Sequence, residues 1–379
     1  MVNFQREVYC LLGLPFDAIN MAGAVRQVRD AAAQRTPCFL STPNLNFAIG
    51  CRSDGAFRDS VIHSNLVIAD GMPLVWIARL LDVPIRERVS GSTLFEALRG
   101  GSGQPLSVYF FGGPAGAAEV ACQRLRQEGG GLTGAGHDSP GFGSVADMSS
   151  DAIIQRINAS GADFLLVALG ARKGQAWIEH NRVRITVPVI SHLGAVVNFV
   201  AGRVHRAPAW MQNIGLEWLW RIKEEPALWR RYFADGWSLL LLLVTRVIPH
   251  AWYLRRHKPG AAELHTATVE MSAEGLHCVV HLRGAWTQRN IAPLRDCFAS
   301  AVQAGKDVRL DMGGVTYVDS AIVGLLILLY GEQQQQRRKL LITSVQKPVR
   351  RVIRYCCAEY LPVDWSQASR HEISSSVNH

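Results

Sequence analysis

The chain has 379 residues, 48% of them hydrophobic and 19% charged, with 40 Lys and Arg against 31 Asp and Glu for a formal charge of +9. That length carries two or three domains with cores of their own, and the ordinary apolar fraction excludes a disordered, fibrous or low-complexity chain. The surplus charge is local: residues 203–258 hold ten Lys/Arg and four Asp/Glu, together with six of the ten tryptophans. Arginine interleaved with tryptophan suits a membrane surface or a nucleic-acid strand.

At the N-terminus, Arg6 and Glu7 come early and no long apolar run follows. The eight cysteines form no CxxC pair and no His stands at zinc spacing. The expectation is a reduced, cytosolic chain without signal peptide or structural zinc. From Pro37 to about Ala201, short β-rich runs alternate with helical patterns, the signature of a parallel sheet covered on both faces. Strands are expected at Cys38 to Ser41, Leu66 to Ala69, Ser107 to Phe111, Phe164 to Leu169 and Val187 to Ser191. Farther on, Leu239 to Val244 is an apolar run interrupted by Arg246, Pro249 and His250, too short for a span of roughly 20 residues. It reads as a helix lying in the headgroup region or as a buried core helix.

Near His257-Lys-Pro-Gly the pattern changes. Strands at Thr268 to Met271, His277 to Leu282, Val308 to Met312 and Lys339 to Thr343 alternate with helices into a second, small α/β domain. One helix would put Ile291, Leu294, Phe298 and Val302 on a single face. Further helices are expected from Ser320 and at Pro348 to Cys357. The fold class is therefore α/β: a Rossmann-like, mostly parallel sheet with helices on both faces, a basic aromatic helical appendage, and a small α/β domain. The segments are 1–202, 203–258, a linker at 259–265, 266–365, and a disordered tail at 366–379.

Ligands of open α/β sheets bind at the carboxyl ends of strands. Thr42 and Asn44 follow the first strand of the sheet, and Asp70 ends the second in Ile-Ala-Asp-Gly-Met-Pro. A carboxylate there suits proton abstraction from a hydroxyl, although Asp-Gly after a strand serves equally as a turn or helix cap. Tyr109-Phe-Phe-Gly-Gly-Pro-Ala-Gly is a strand entering a glycine-rich turn, where Gly112 and Gly113 either face a phosphate or permit close packing. No Asp-x-Asp occurs in the chain, so no metal for a diphosphate is expected, and Arg88, Arg206, Arg221, Arg230 and Arg231 are candidates to neutralise one instead.

Read together, these runs resemble the WecG/TagA/CpsF glycosyltransferase family. The matching stretches are Thr42-Pro-Asn44, Ala69-Asp-Gly71, Glu87-Arg-Val-Ser-Gly91, Phe110-Phe-Gly-Gly113, Ser139-Pro-Gly-Phe142, Ala168-Leu-Gly170, Leu193-Gly-Ala195 and Ala201-Gly202. They are followed by Arg206-Ala-Pro-Ala-Trp210, Gly215-Leu-Glu-Trp218, Arg221, Glu225-Pro226 and Trp229-Arg-Arg-Tyr232. The resemblance implies an inverting, metal-independent transfer, without cofactor, of N-acetylmannosamine or another hexose. The donor would be a UDP-sugar and the acceptor a polyprenyl-diphosphate-linked saccharide, in extracellular polysaccharide synthesis on the inner face of the cytoplasmic membrane. Asp70 then looks like the general base, with Thr42 and Asn44 lining the sugar pocket and Arg88 facing the diphosphate. Gly112, Gly113, Gly170, Gln175, Gly194 and Asn198 complete the substrate site, and the appendage arginines close over the nucleotide. Departures stand at Gly174 and Gln175, where the family usually has Gln and Glu, and at Asn198, where Asp is frequent.

The second domain resembles a STAS domain through Tyr317-Val-Asp-Ser-Ala-Ile-Val-Gly324. Ser320 there is either a phosphorylation site or a plain helix cap, and a protein partner is expected through this module. Against the enzyme stands a catalytically weakened transferase acting as a STAS-mediated scaffold. The order of the appendage residues favours an anionic membrane over nucleic acid as their partner.

Overall fold

In the computed structural model of the chain, residues 2–202, 207–208, 211, 216–224, 226–275 and 277–364 are described. Strands β1 (Val8–Leu11) and β2 (Leu14–Asp17) form an antiparallel hairpin. Six strands follow: β3 (Cys38–Ser41), β4 (Leu66–Val67), β5 (Leu106–Gly112), β6 (Leu132–Asp138), β7 (Phe164–Ala168) and β8 (Val189–His192). They build one sheet in the order β4-β3-β8-β7-β5-β6, parallel at every pairing. Strands β9 (Thr268–Glu274), β10 (His277–Trp286), β11 (Asp307–Val318) and β12 (Leu340–Thr343) make a second sheet in the order β12-β11-β10-β9, with only β9 antiparallel to its neighbour.

The six-stranded sheet is covered on both faces, and its strands show it residue by residue. Phe110 belongs to one core cluster with Leu40 and Leu166, while its neighbour Phe111 belongs to the other with Phe39, Leu165 and Trp177. Side chains alternate faces along a strand, so a run buried on both sides reads as continuously apolar. Strands β3, β5, β7 and β8 fall within two residues of the expected ranges. β4 stops at Val67, yet Ile68 N still donates to Ser41 O at 3.0 Å and Asp70 N to Pro43 O at 3.0 Å, so the chain keeps following the end of β3. β6 is not announced by its sequence, Leu-Thr-Gly-Ala-Gly-His-Asp, because an edge strand needs no double-sided apolar run.

By contact the chain divides into two compact units that cut across the sequence-based segments. A six-stranded unit takes Ile19–Trp76 and Ile85–Trp237; a four-stranded unit takes the residues up to Ala18, Ile77–Pro84 and those from Ser238 onward. The hairpin lies in the four-stranded unit because it packs on the helix Ser320–Gln335. A Cβ on Gly324 would sit 3.0 Å from Val8 O, so only glycine lets strand and helix approach this closely. Tyr360 Oη donates to Gly13 O at 2.7 Å and Arg295 Nη2 to Arg6 O at 3.1 Å, fastening both ends of the hairpin. The expected helical face of Ile291, Leu294, Phe298 and Val302 is buried in this unit. The expected tail at 366–379 lies outside the described residues.

One helix runs from Trp229 to Arg256, 28 residues long and by length and composition apolar enough to cross a membrane. Its C-terminal half is committed to protein along one face: Val247, His250 and Tyr253 are buried, and Arg246 pairs with Glu359 at 2.6 Å.

Candidate active site

Three backbone hydrogen bonds assemble the site. Ile68 N to Ser41 O and Asp70 N to Pro43 O hold the end of β4 beside Thr42-Pro-Asn44, and Val89 N donates to Ala69 O at 3.1 Å, bringing Arg88 to Asp70. Arg88 places Nε and Nη2 each 3.3 Å from Asp70 Oδ1. Its Nη2 also forms an ion pair with Glu217 Oε2 at 2.7 Å, at the start of the helix Glu217–Glu224. The second oxygen of Asp70 takes no hydrogen bond from a described residue, and the side chain keeps 25% exposure.

Burial pushes the Asp70 carboxyl above its ordinary pKa; the Arg88 guanidinium pulls it down, the Glu217 charge pushes it up and Arg221 pulls it down again. The balance stays raised. A carboxylate with raised proton affinity and one unoccupied oxygen is a better base than an exposed aspartate. Arg88 loses by burial but gains more from Asp70 and Glu217, so its charge is held firmly.

Other expected residues divide into those near this centre and those with packing tasks. Thr42 is buried against the start of the helix Gly91–Arg99, 3.3 Å from where a Gly91 Cβ would stand. Asn44 caps the helix Leu45–Ser53, its Oδ1 accepting from Phe47 N at 3.0 Å, so that oxygen is already occupied. Gly194 opens the helix Gly194–Val200 just after β8, and Asn198 on that helix has a buried Oδ1 without a partner. Gly170 precedes the helix Ala171–Asn181 in open space. The glycine pair after β5 is packed: a Cβ on Gly112 would sit 2.9 Å from Ala168 O, and Gly113 N donates to that carbonyl at 2.8 Å. Gln175 is 1% exposed and donates to Ser41 Oγ at 2.8 Å, turned into the core beneath the strand ends. Arg221 follows Glu217 by one turn, on the same helix face. Arg230 and Arg231 are exposed and lie over the Trp229 and Tyr232 rings; no described contact joins them to Asp70. Arg206 lies outside the described residues. Among the described residues, no three His, Cys, Asp or Glu side chains converge as a metal site.

Ser320 is 5% exposed, and the helix cap is its neighbour: Asp319 accepts from Ala321 N and Ile322 N at 3.0 and 3.1 Å. The reading of Ser320 as the cap is thereby corrected: Asp319 is the cap, and Ser320 is the buried first residue of the helix.

The sequence model of the WecG/TagA/CpsF glycosyl transferase family matches residues 9–251. The chain belongs to this family. Residues 269–358 match a STAS domain. Similar proteins include an N-acetylglucosaminyldiphosphoundecaprenol N-acetyl-beta-D-mannosaminyltransferase of Bacillus spizizenii, 26% identical over 57% of this chain and 81% of its own length. Another of that name, from Staphylococcus aureus strain NCTC 8325, is 23% identical over 56% of this chain and 82% of its own. Among solved structures, the phosphorylated form of the Bacillus cell fate determinant SpoIIAA matches with 15% identity and a TM-score of 0.23, covering 29% of this chain and all of its own.

This WecG/TagA/CpsF glycosyltransferase carries two polar residues at its site that sequence reasoning passed over. Glu217 stands inside the matching stretch Gly215-Leu-Glu-Trp218, where its sequence alone gives no sign of a partner. His192 ends β8, one residue beyond the expected strand end at Ser191, at the tip where ligands of open sheets bind. The His192 ring is buried, its Nε2 has no partner, and burial alone pulls its pKa down to about 4, so it is neutral. A Cβ on Gly174 would stand 2.2 Å from His192 Cδ2. The unusual glycine therefore makes room for the histidine.

Proposed function

We propose that this glycosyltransferase moves a hexose, N-acetylmannosamine or a close relative, from a UDP-sugar to a polyprenyl-diphosphate-linked saccharide with inversion and without a metal. The observation that carries the reading is the half-buried Asp70 carboxyl at the strand tip, its proton affinity raised, one oxygen held by Arg88 and the other without a described hydrogen bond. Asp70 takes the proton of the acceptor hydroxyl as that oxygen bonds to the anomeric carbon. The bond from that carbon to the UDP oxygen breaks and its electron pair leaves with UDP. Arg88 and Arg221 supply positive charge near the developing diphosphate, in a setting where fixed charges need no reorganisation. The names of the similar proteins, mannosaminyl transfer to an N-acetylglucosaminyl diphosphoundecaprenol, support the acceptor class.

The same reading puts the protein on the inner face of the cytoplasmic membrane. Along the 28-residue helix, Trp229, Phe233, Trp237, Leu241, Val244, Ile248 and Trp252 are exposed at three- and four-residue intervals. Tryptophans stand at both ends of that stripe, and Arg230 and Arg256 lie on the rings of Trp229 and Trp252. This pattern fits an interfacial helix on anionic lipid. The STAS domain serves as a regulatory or docking module.

The test combines purified full-length protein, UDP-sugars and a short-chain polyprenyl-diphosphate N-acetylglucosamine, with the product read by mass. Turnover is expected only with both substrates, unchanged by EDTA, and lost in Asp70→Asn. Full turnover in Asp70→Asn with the fold intact overturns the base, and loss in EDTA overturns the metal-independent step.

A further inference from the structure

Arg88 is shared between two carboxylates, and the sharing is unequal. Its Nη2 lies 2.7 Å from Glu217 Oε2 in an ion pair that lacks hydrogen-bond alignment, whereas its two hydrogen bonds to Asp70 are both at 3.3 Å and both on Oδ1. A guanidinium opposite a single carboxylate commonly forms two parallel bonds, one to each oxygen, at about 2.7–2.9 Å. Here that fork is not completed on Asp70. The Glu217 side chain is only 14% exposed, and it comes from the appendage, some 130 positions along the chain from Arg88. A second contact ties the appendage to the same unit: Asn46 Nδ2 donates to the buried Asp235 at 3.0 Å.

We propose that Glu217 is a positioning residue that draws Arg88 off Asp70, so that docking of the appendage makes the base available. Without Glu217, the guanidinium is free to close on Asp70 as a two-bond pair. That pairing would occupy the oxygen a hydroxyl needs and stabilise the carboxylate against taking a proton. With Glu217 in place, Arg88 stays charged and close enough to face a diphosphate, while the second oxygen of Asp70 remains open. Arg221, one turn beyond Glu217, arrives with the same helix, so a leaving-group charge and an available base are delivered together. The direction of the Glu217 effect on the Asp70 carboxyl, upward, agrees with this geometry.

The inference rests on Asp70 being the base, and the experiment separates the two. Turnover against pH is measured for the full-length protein with a UDP-sugar and a short-chain polyprenyl-diphosphate acceptor, in Glu217→Gln, Glu217→Asp, Asn46→Ala and Asp70→Asn. Glu217→Gln keeps the shape and removes the charge; its rate is expected to fall roughly tenfold or more at neutral pH, as for a weakened general base. Its acid limb is expected to move to lower pH, and Glu217→Asp to recover part of both. Asn46→Ala loosens the appendage and withdraws Glu217 with it, so its rate is expected to fall and its acid limb to move in the same direction as in Glu217→Gln. A Glu217→Gln limb that coincides with wild type, or moves to higher pH, overturns the role of Glu217 even if the rate drops. Full activity in Asp70→Asn overturns the base assignment instead, and the proposal with it.

Discussion

Asp70 in the six-stranded unit and Asp319 in the four-stranded unit each follow a parallel strand and precede a helix, and burial raises the carboxyl of both. Asp319 has spent its oxygens: one accepts from Ala321 N and Ile322 N, the other from Gln288 N at 2.9 Å. Asp70 gives one oxygen to a guanidinium shared with Glu217, and the other takes no hydrogen bond among the described residues. A strand-tip aspartate is thus a structural cap where backbone N–H groups converge on it, and chemically available where they do not. The difference lies in what the following helix offers. The helix after Asp319 begins at once with Ser320, whereas Gly71 and the turn to Met72 carry the chain past Asp70.

The largest test of this contrast is Asp70→Asn, for which turnover should fall about 10²- to 10⁴-fold, the usual contribution of a general base. Chemical denaturation should show little loss of stability. A parallel drop in stability would make Asp70 a cap like Asp319.

A second contrast pairs the buried histidines, His192 in the six-stranded unit and His250 in the four-stranded one. Burial pulls each from 6.5 to about 4, and each has an Nε2 without a partner. Both are neutral in the folded chain. As pH falls below 6.5 the unfolded chain takes up protons that the folded chain refuses, so stability is full above that point and drains until about 4. The loss is on the order of 3 kcal/mol per histidine. The two raised aspartates work the other way, gaining stability as pH falls through their folded values. Hydrogen exchange from pH 7 to pH 4.5, read unit by unit, should show both units loosening; His192→Gln should protect the six-stranded unit alone. If that variant loosens as fast as wild type, His192 is not the acid-sensitive group.

Close-packed glycines give the third pair. Ala is ordinarily about 1 kcal/mol better than Gly inside a helix. At Gly174 and Gly324 the sign should reverse, because the new Cβ meets His192 Cδ2 at 2.2 Å or Val8 O at 3.0 Å. Overpacking of this kind costs about 1–3 kcal/mol. Urea midpoints check it, and His192→Ala should rescue Gly174→Ala but not Gly324→Ala. The smallest effect is expected of Asp319→Ala. Losing that cap should cost about 0.5–2 kcal/mol in unfolding measurements and leave the turnover chemistry of the six-stranded unit unchanged.

Much of this was legible in the chain itself. The apolar runs Cys38-Phe-Leu-Ser41 and Phe164-Leu-Leu-Val-Ala168 announce doubly buried parallel strands because a sheet covered on both faces needs both side-chain rows apolar. The placement of Asp70, Thr42 and Arg88 near strand tips was legible because strand tips and short motifs are local. The glycines at 112 and 113 were ambiguous for the opposite reason: whether a glycine faces a ligand or a carbonyl depends on the neighbouring strand, and here Ala168 O occupies the space. The hairpin Val8–Asp17 was invisible, since its two short strands carry no pattern of their own and gain their place from Gly324, more than 300 residues away. Residue types and local spacing, then, determined which elements form and which polar groups stand at the strand tips. Only the tertiary structure decided that Gly174 makes room for His192, that Gln175 turns inward, and that Asp70 and Glu217 share Arg88. Those outcomes depend on distances between segments far apart in the chain, and the free energy that sets them comes from burial and charge in the folded state.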